Sequence, residues 1–114
     1  MAALLVACVP STVLPEDCDA PDVTRGSTLT GEQLEPATIE VCRDQQVTLE
    51  VEVERDGILH LHGYDDQTPA VEVRAGETTE LAFTAVRAGQ FPIALHTTDG
   101  PAEATVGTLI VHEP

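Results

Sequence analysis

The sequence predicts an all-β sandwich of about seven strands behind an irregular N-terminal tether. Three observations carry that prediction. Apolar residues alternate with polar ones in several short runs, turn signals recur every 8–12 residues, and no segment shows a helical apolar stripe. The first strand is read at Thr38 to Cys42. Next, Val47, Leu49, Val51 and Val53 alternate with Thr48, Glu50, Glu52 and Glu54, which gives one face to a core and one to water. Arg55-Asp56-Gly57 turns the chain into a strand over Ile58 to Tyr64. Val71 and Val73 form a short strand stopped by Ala75-Gly76. Thr79, Leu81, Phe83 and Ala85 alternate up to the turn Arg87-Ala88-Gly89. Phe91, Ile93 and Leu95 alternate again, Thr97 to Thr105 reads as loop, and Val106 to Val111 closes the domain.

Composition narrows function. The 114 residues fit one domain, and 20 acidic against five basic residues give a formal charge of −15. The basic residues are all arginine and stand singly, at Arg25, Arg43, Arg55, Arg74 and Arg87, so no basic face exists for nucleic acid. The carboxylate surplus is also repelled by anionic lipid and favours a soluble monomer. Serine occurs only at Ser11 and Ser27, so a Ser-His-Asp hydrolase has no nucleophile on the scaffold. No Gly-rich phosphate loop follows a strand, and Tyr64, Phe83 and Phe91 are too few for a base- or sugar-stacking platform. The expectation is a protein that is not an enzyme.

Residues 1–8 are apolar but too short to span a bilayer, which takes about 20 residues. They lack the basic start of a secretory signal. Leu5-Val6-Ala7-Cys8 nevertheless resembles a bacterial lipobox, which implies a partial signal segment ending in a lipidated Cys8. Residues 9–36, rich in Pro, Asp, Thr and Gly, read as a tether that hugs the domain or is disordered. Residues 37–114 form the sandwich. With Cys8 acylated, the remaining two of three cysteines, Cys18 and Cys42, are expected as a disulfide pinning the tether to the first strand. Two free thiols in a cytosolic protein is the alternative. The lipid anchor and the bridge place the protein outside the cytoplasm, at the cell surface or in the periplasm.

The run Leu61-His62-Gly63-Tyr64-Asp65 and the turn Val73-Arg74-Ala75-Gly76-Glu77 come first in a recognisable order. Leu81-Ala82-Phe83, Ala88-Gly89-Gln90-Phe91 and Val106-Gly107-Thr108-Leu109-Ile110-Val111 follow. Together these resemble the cupredoxin family, of plastocyanin and cytochrome oxidase subunit II type, across roughly residues 37–113. The resemblance implies a Greek-key β-sandwich and, in blue copper members, a mononuclear copper held by two His, one Cys and usually a weak Met. Here His62 falls on the first histidine. Leu95 stands at the cysteine, Thr98 at the second histidine and Thr105 at the methionine. A blue site depends on a copper–thiolate bond, so the resemblance without its cysteine argues against type-1 copper electron transfer.

Three histidines remain as candidate ligands. His60 and His62 share a strand face about 7 Å apart, and the family arrangement sets His96 on the neighbouring antiparallel strand at the same end. With Asp65 or Asp66 nearby, they would suit Cu(II) or Zn(II). Two registers are open. If Leu59 and Leu61 face the core, His60, His62 and His96 all point outward and form one cluster. If His62 and Tyr64 face inward, His96 faces away from them and His62 stands alone. His112 is read as a solvated residue with no role. Three functions are in play: a binding module capturing Cu(II) or Zn(II) through His60, His62 and His96; a structural domain, or one binding an extracytoplasmic protein partner, whose metal site has decayed; and a copper redox protein.

Overall fold

The computed structural model describes residues 13–97 and 102–114. Residues 1–12, with the lipobox and Cys8, lie outside that range, as does Thr98. Nine strands run in order among the described residues: β1 Asp22–Thr30, β2 Gln33–Glu35, β3 Thr38–Cys42, β4 Gln46–Val53, β5 Gly57–Leu61, β6 Val71–Val73, β7 Thr78–Thr84, β8 Gly89–His96 and β9 Glu103–His112. They form two mixed sheets, ordered β2-β1-β4-β7 and β3-β9-β8-β5-β6. Pairing is antiparallel except for β1 with β4 and β3 with β9, which are parallel. The all-β sandwich expected from the alternation is the fold observed.

The inner faces meet in one core. Val47, Leu49, Val51 and Val53 of β4 are each at most 2% exposed, and Leu81 and Phe83 of β7 extend that layer. Leu59, Leu61, Ile93, Leu95 and Leu109 supply the opposing one. Each such side chain fully removed from water contributes roughly 1.5–3 kcal/mol. The intervening Glu50 and Glu52 stay in solvent, so the period-two reading of β4 holds residue by residue.

Two strands lie where the sequence suggests a tether. β1 is an interior strand, paired with β2 on one side and along eight residues with β4 on the other. Its inward positions include polar residues, which is why period two is hard to see. Ser27 is buried and donates its hydroxyl to the carbonyl of Pro36 at 2.8 Å. Arg25 is half-buried, donating Nε to the carbonyl of Glu40 and both terminal nitrogens to Asp17. Residues 22–35 are therefore part of the domain, and two extra strands raise the expected seven to nine.

The segment before β1 is fastened to the sandwich. Cys18 and Cys42 form the disulfide, with Cα atoms 5.5 Å apart, and Gln45 donates Nε2 to the carbonyls of Asp17 and Ala20 at 2.7 and 2.9 Å. The hydrogen bond from Arg25 holds the Asp17 carboxyl below its ordinary value of 3.8. A depressed carboxyl stabilises the fold above its unfolded value and loses that contribution as pH falls through the folded one. Asp17 is 43% exposed, so the pair is worth at most about 1 kcal/mol. Asp17→Asn is expected to lower the urea midpoint at pH 7, with the gap from the parent closing on acidification past 3.8. A gap that widens in acid would contradict this assignment.

Candidate metal centre

Three adjacent strands, β5, β8 and β9, place the candidate ligands on the outer face of the five-stranded sheet. Leu59 and Leu61 are buried, so His60 between them points to solvent. His62 follows one residue past the strand, donating its N–H to the carbonyl of Pro92 at 3.0 Å, and also stays outside. In the β5–β8 ladder Ile58 pairs with His96 and His60 with Ala94. In the β8–β9 ladder His96 pairs with Glu103. Paired residues share a face, so His60, His96 and Glu103 form a cluster across three strands. The outward register is the one adopted. Ala94, directly opposite His60, is only 1% exposed although it lies on this outer face.

Tyr64 is fully buried as well, which reconciles elements of both registers. Strand pairing ends near His62, and Gly63 at φ 93° breaks the alternation between an outward His62 and an inward Tyr64. Tyr64 then packs on Phe83 and Phe91 with ring centroids 4.9 and 5.0 Å away. The same turn swings Asp65 back over His60.

The donors converge on one carboxylate oxygen. Glu103 Oε2 lies 2.9 Å from His62 Nε2, 3.0 Å from His96 Nε2 and 3.9 Å from His60 Nδ1. The other ring nitrogen of His60, Nε2, contacts Asp65 Oδ1. The rings of His60 and His62 lean together, their centroids 4.2 Å apart, while those of His60 and His96 are 6.0 Å apart. His60, His96 and Glu103 offer ligand atoms within 4.8 Å of one another; His62 stands outside that set and touches it through Glu103 Oε2. An ion bonded at about 2.0–2.2 Å holds neighbouring donors about 2.9–3.5 Å apart. The separations of 2.9–3.9 Å from Glu103 Oε2 to the three imidazoles are of that order, and imidazole and carboxylate are apt ligands for Cu(II) or Zn(II).

The electrostatics favour a cation. The hydrogen bond from His62 holds the Glu103 carboxyl below its ordinary 4.5, with the fields of His96, His62 and His60 adding to it. The hydrogen bond from His60 does the same for Asp65. Both carboxylates are ionised at neutral pH, on a chain of net charge −15.

Glu103 is the ligand candidate that sequence reasoning missed. It falls in a stretch read as loop up to Thr105, whereas β9 begins at Glu103, directly across from His96. The only signal was hairpin geometry, since a strand returning antiparallel from His96 must set some residue opposite it. Four further residues behave differently from expectation or are fixed by the fold. His112 is not solvated: its side chain is 13% exposed and Nε2 meets Glu40 Oε1 at 2.7 Å. Cys42 is buried and oxidised, paired in register with His112 at the other end of β9 from Glu103. Leu95 is buried between the sheets and Thr105 is exposed.

No family model and no curated protein matches the chain. Solved structures do. A blue copper oxidase from Nitrosomonas europaea superposes with a TM-score of 0.63 at 18% identity, over 81% of this chain and 39% of that one. A copper binding protein solved in its apo form gives 0.60 at 14% identity, covering 81% of this chain and 89% of its own. Dithionite-reduced auracyanin from Roseiflexus castenholzii gives 0.54 at 14% identity, over 77% and 95%. The fold is cupredoxin-like. The chain spans about two-fifths of the length of the oxidase, and at these identities the likeness concerns the scaffold.

Proposed function

We propose that this chain is an extracytoplasmic cupredoxin-like binding module that captures Cu(II) or Zn(II) through His60, His62 and His96 together with Glu103, without catalysis and without type-1 copper electron transfer. The observation that carries the reading is the convergence of three imidazoles on Glu103 Oε2, two of them within 3.0 Å. In this reading His62 and His96 supply Nε2 and Glu103 supplies an anionic oxygen. Nitrogen and oxygen donors on a divalent ion favour Cu(II) over Zn(II) in raw affinity. Among the described residues no thiolate is available to the cluster, because Cys18 and Cys42 are committed to their disulfide; this argues against a blue centre. The disulfide also supports an oxidising compartment, and lipidation at Cys8 would hold the module at a membrane surface.

A second reading draws on the same contacts. Each imidazole already has a carboxylate partner, as in a polar network of a structural or partner-binding domain whose metal site has decayed. Calorimetric titration with Cu(II) and Zn(II) separates the two. Capture predicts micromolar binding to the parent, weakened at least tenfold in His62→Ala and in His96→Ala. Heat no larger than that of dilution leaves the structural reading. An intense blue copper–thiolate absorption band on the loaded protein would instead establish the redox function.

A further inference from the structure

We propose that Asp65 is a positioning residue for this centre: it accepts the Nε2–H of His60 and so fixes the tautomer that presents an unprotonated Nδ1 to the metal. The inference rests on the capture reading and adds to it a defined role for a residue outside the ligand set. A neutral imidazole carries one proton, and the nitrogen that keeps it is set by the hydrogen bond it makes. His60 has a carboxylate on each side. Asp65 Oδ1 contacts Nε2, whereas Glu103 Oε2 is 3.9 Å from Nδ1, a separation suited to a shared ion and too long for a hydrogen bond. His62 and His96 are turned the other way, each offering Nε2 to Glu103. In the capture reading the ion displaces the Nε2 protons that His62 and His96 direct at Glu103 and bonds those nitrogens, releasing the protons to solvent, so the ligand set is mixed, one Nδ1 with two Nε2.

Asp65 is held in place by the turn rather than by its own exposed side chain. The turn closes on Tyr64, whose carbonyl accepts the N–H of Gln67 at 3.0 Å and of Thr68 at 2.8 Å. Tyr64 itself is locked in the core. A carboxylate fixed this way, behind a histidine, orients the ring and raises its basicity as a ligand. Loss of such a partner typically weakens metal binding about 10–100-fold.

Zinc, a diamagnetic probe, tests the assignment in the full chain labelled with ¹⁵N-histidine. Long-range ¹H–¹⁵N correlation spectra are expected to show His60 protonated at Nε2 before zinc is added and bound through Nδ1 afterwards. Asp65→Ala should weaken zinc binding about 10–100-fold and leave the metal-free His60 in mixed tautomers. Asp65→Asn, which keeps an acceptor oxygen without the charge, should recover most of the loss. Coordination through Nε2, an Asp65→Ala variant that binds as tightly as the parent, or an Asn variant as weak as the Ala variant would each overturn the positioning role while leaving capture intact. A parent protein that takes up no zinc overturns capture, and positioning with it.

Discussion

Reduction of the Cys18–Cys42 bridge is expected to lower stability by about 3.5 kcal/mol, the chain-entropy value for closing a loop of this length, and to leave the metal centre working. The bridge spans a sequence separation of 24. Against the 5–15 kcal/mol typical of a domain, the loss should move the urea midpoint far to the low side. The contacts released first are those the bridge concentrates: Gln45 to the carbonyls of Asp17 and Ala20, and the N–H of Gln46 to the carbonyl of Pro21 at 2.9 Å. β1 should survive at low denaturant because β2 and β4 pair with it on both sides. Cys42 pairs in register with His112 and His96 with Glu103, so bridge and site sit at opposite ends of β9, about 30 Å apart at the strand rise. Urea titration with and without reductant measures the first effect, and zinc calorimetry below the reduced transition measures the second. An unchanged midpoint would mean the segment is held by its hydrogen bonds alone.

What could be read from the sequence followed a physical division. β4 was legible because every inward residue is aliphatic and every outward one polar, so burial and pattern coincide. β1 was not, because Ser27 and Arg25 occupy inward positions and satisfy their polar groups through Pro36, Glu40 and Asp17; a partner far along the chain made a polar residue acceptable inside. The histidines were visible as a triplet, yet their common face depended on where alternation stops, and Glu103 became visible only once the β8–β9 hairpin set it against His96. Asp65 could be placed near the histidines, but the turn that aims it at His60 is a backbone event.

That turn makes Gly63→Ala a substitution expected to damage both the fold and the site. Two independent costs add at one residue. The backbone sits at φ 93°, in the left-handed half of conformational space, where a side chain costs roughly 1–2 kcal/mol. A Cβ there would also stand 2.6 Å from Phe91 Cδ1 and 3.1 Å from Cε1. Phe91 has little freedom to retreat, since its ring packs edge-on against Tyr64 and Arg87 lies over both rings while donating to the Gly63 carbonyl. Forcing such a contact apart adds about 1–3 kcal/mol, so the expected total is about 2–5 kcal/mol. Gly76 provides the control that separates the two costs. It has φ 88° and nothing within 4 Å of an added Cβ, so Gly76→Ala should show the backbone cost alone and leave zinc binding unchanged. Gly63→Ala should exceed it in urea denaturation. It should also weaken zinc binding, because His62 and Asp65 flank the displaced turn while His96 and Glu103 remain on their hairpin. Equal stabilities for the two alanine variants, with zinc affinity intact in both, would show that alternation breaks somewhere other than Gly63, and the outward placement of His62 would then need a different cause.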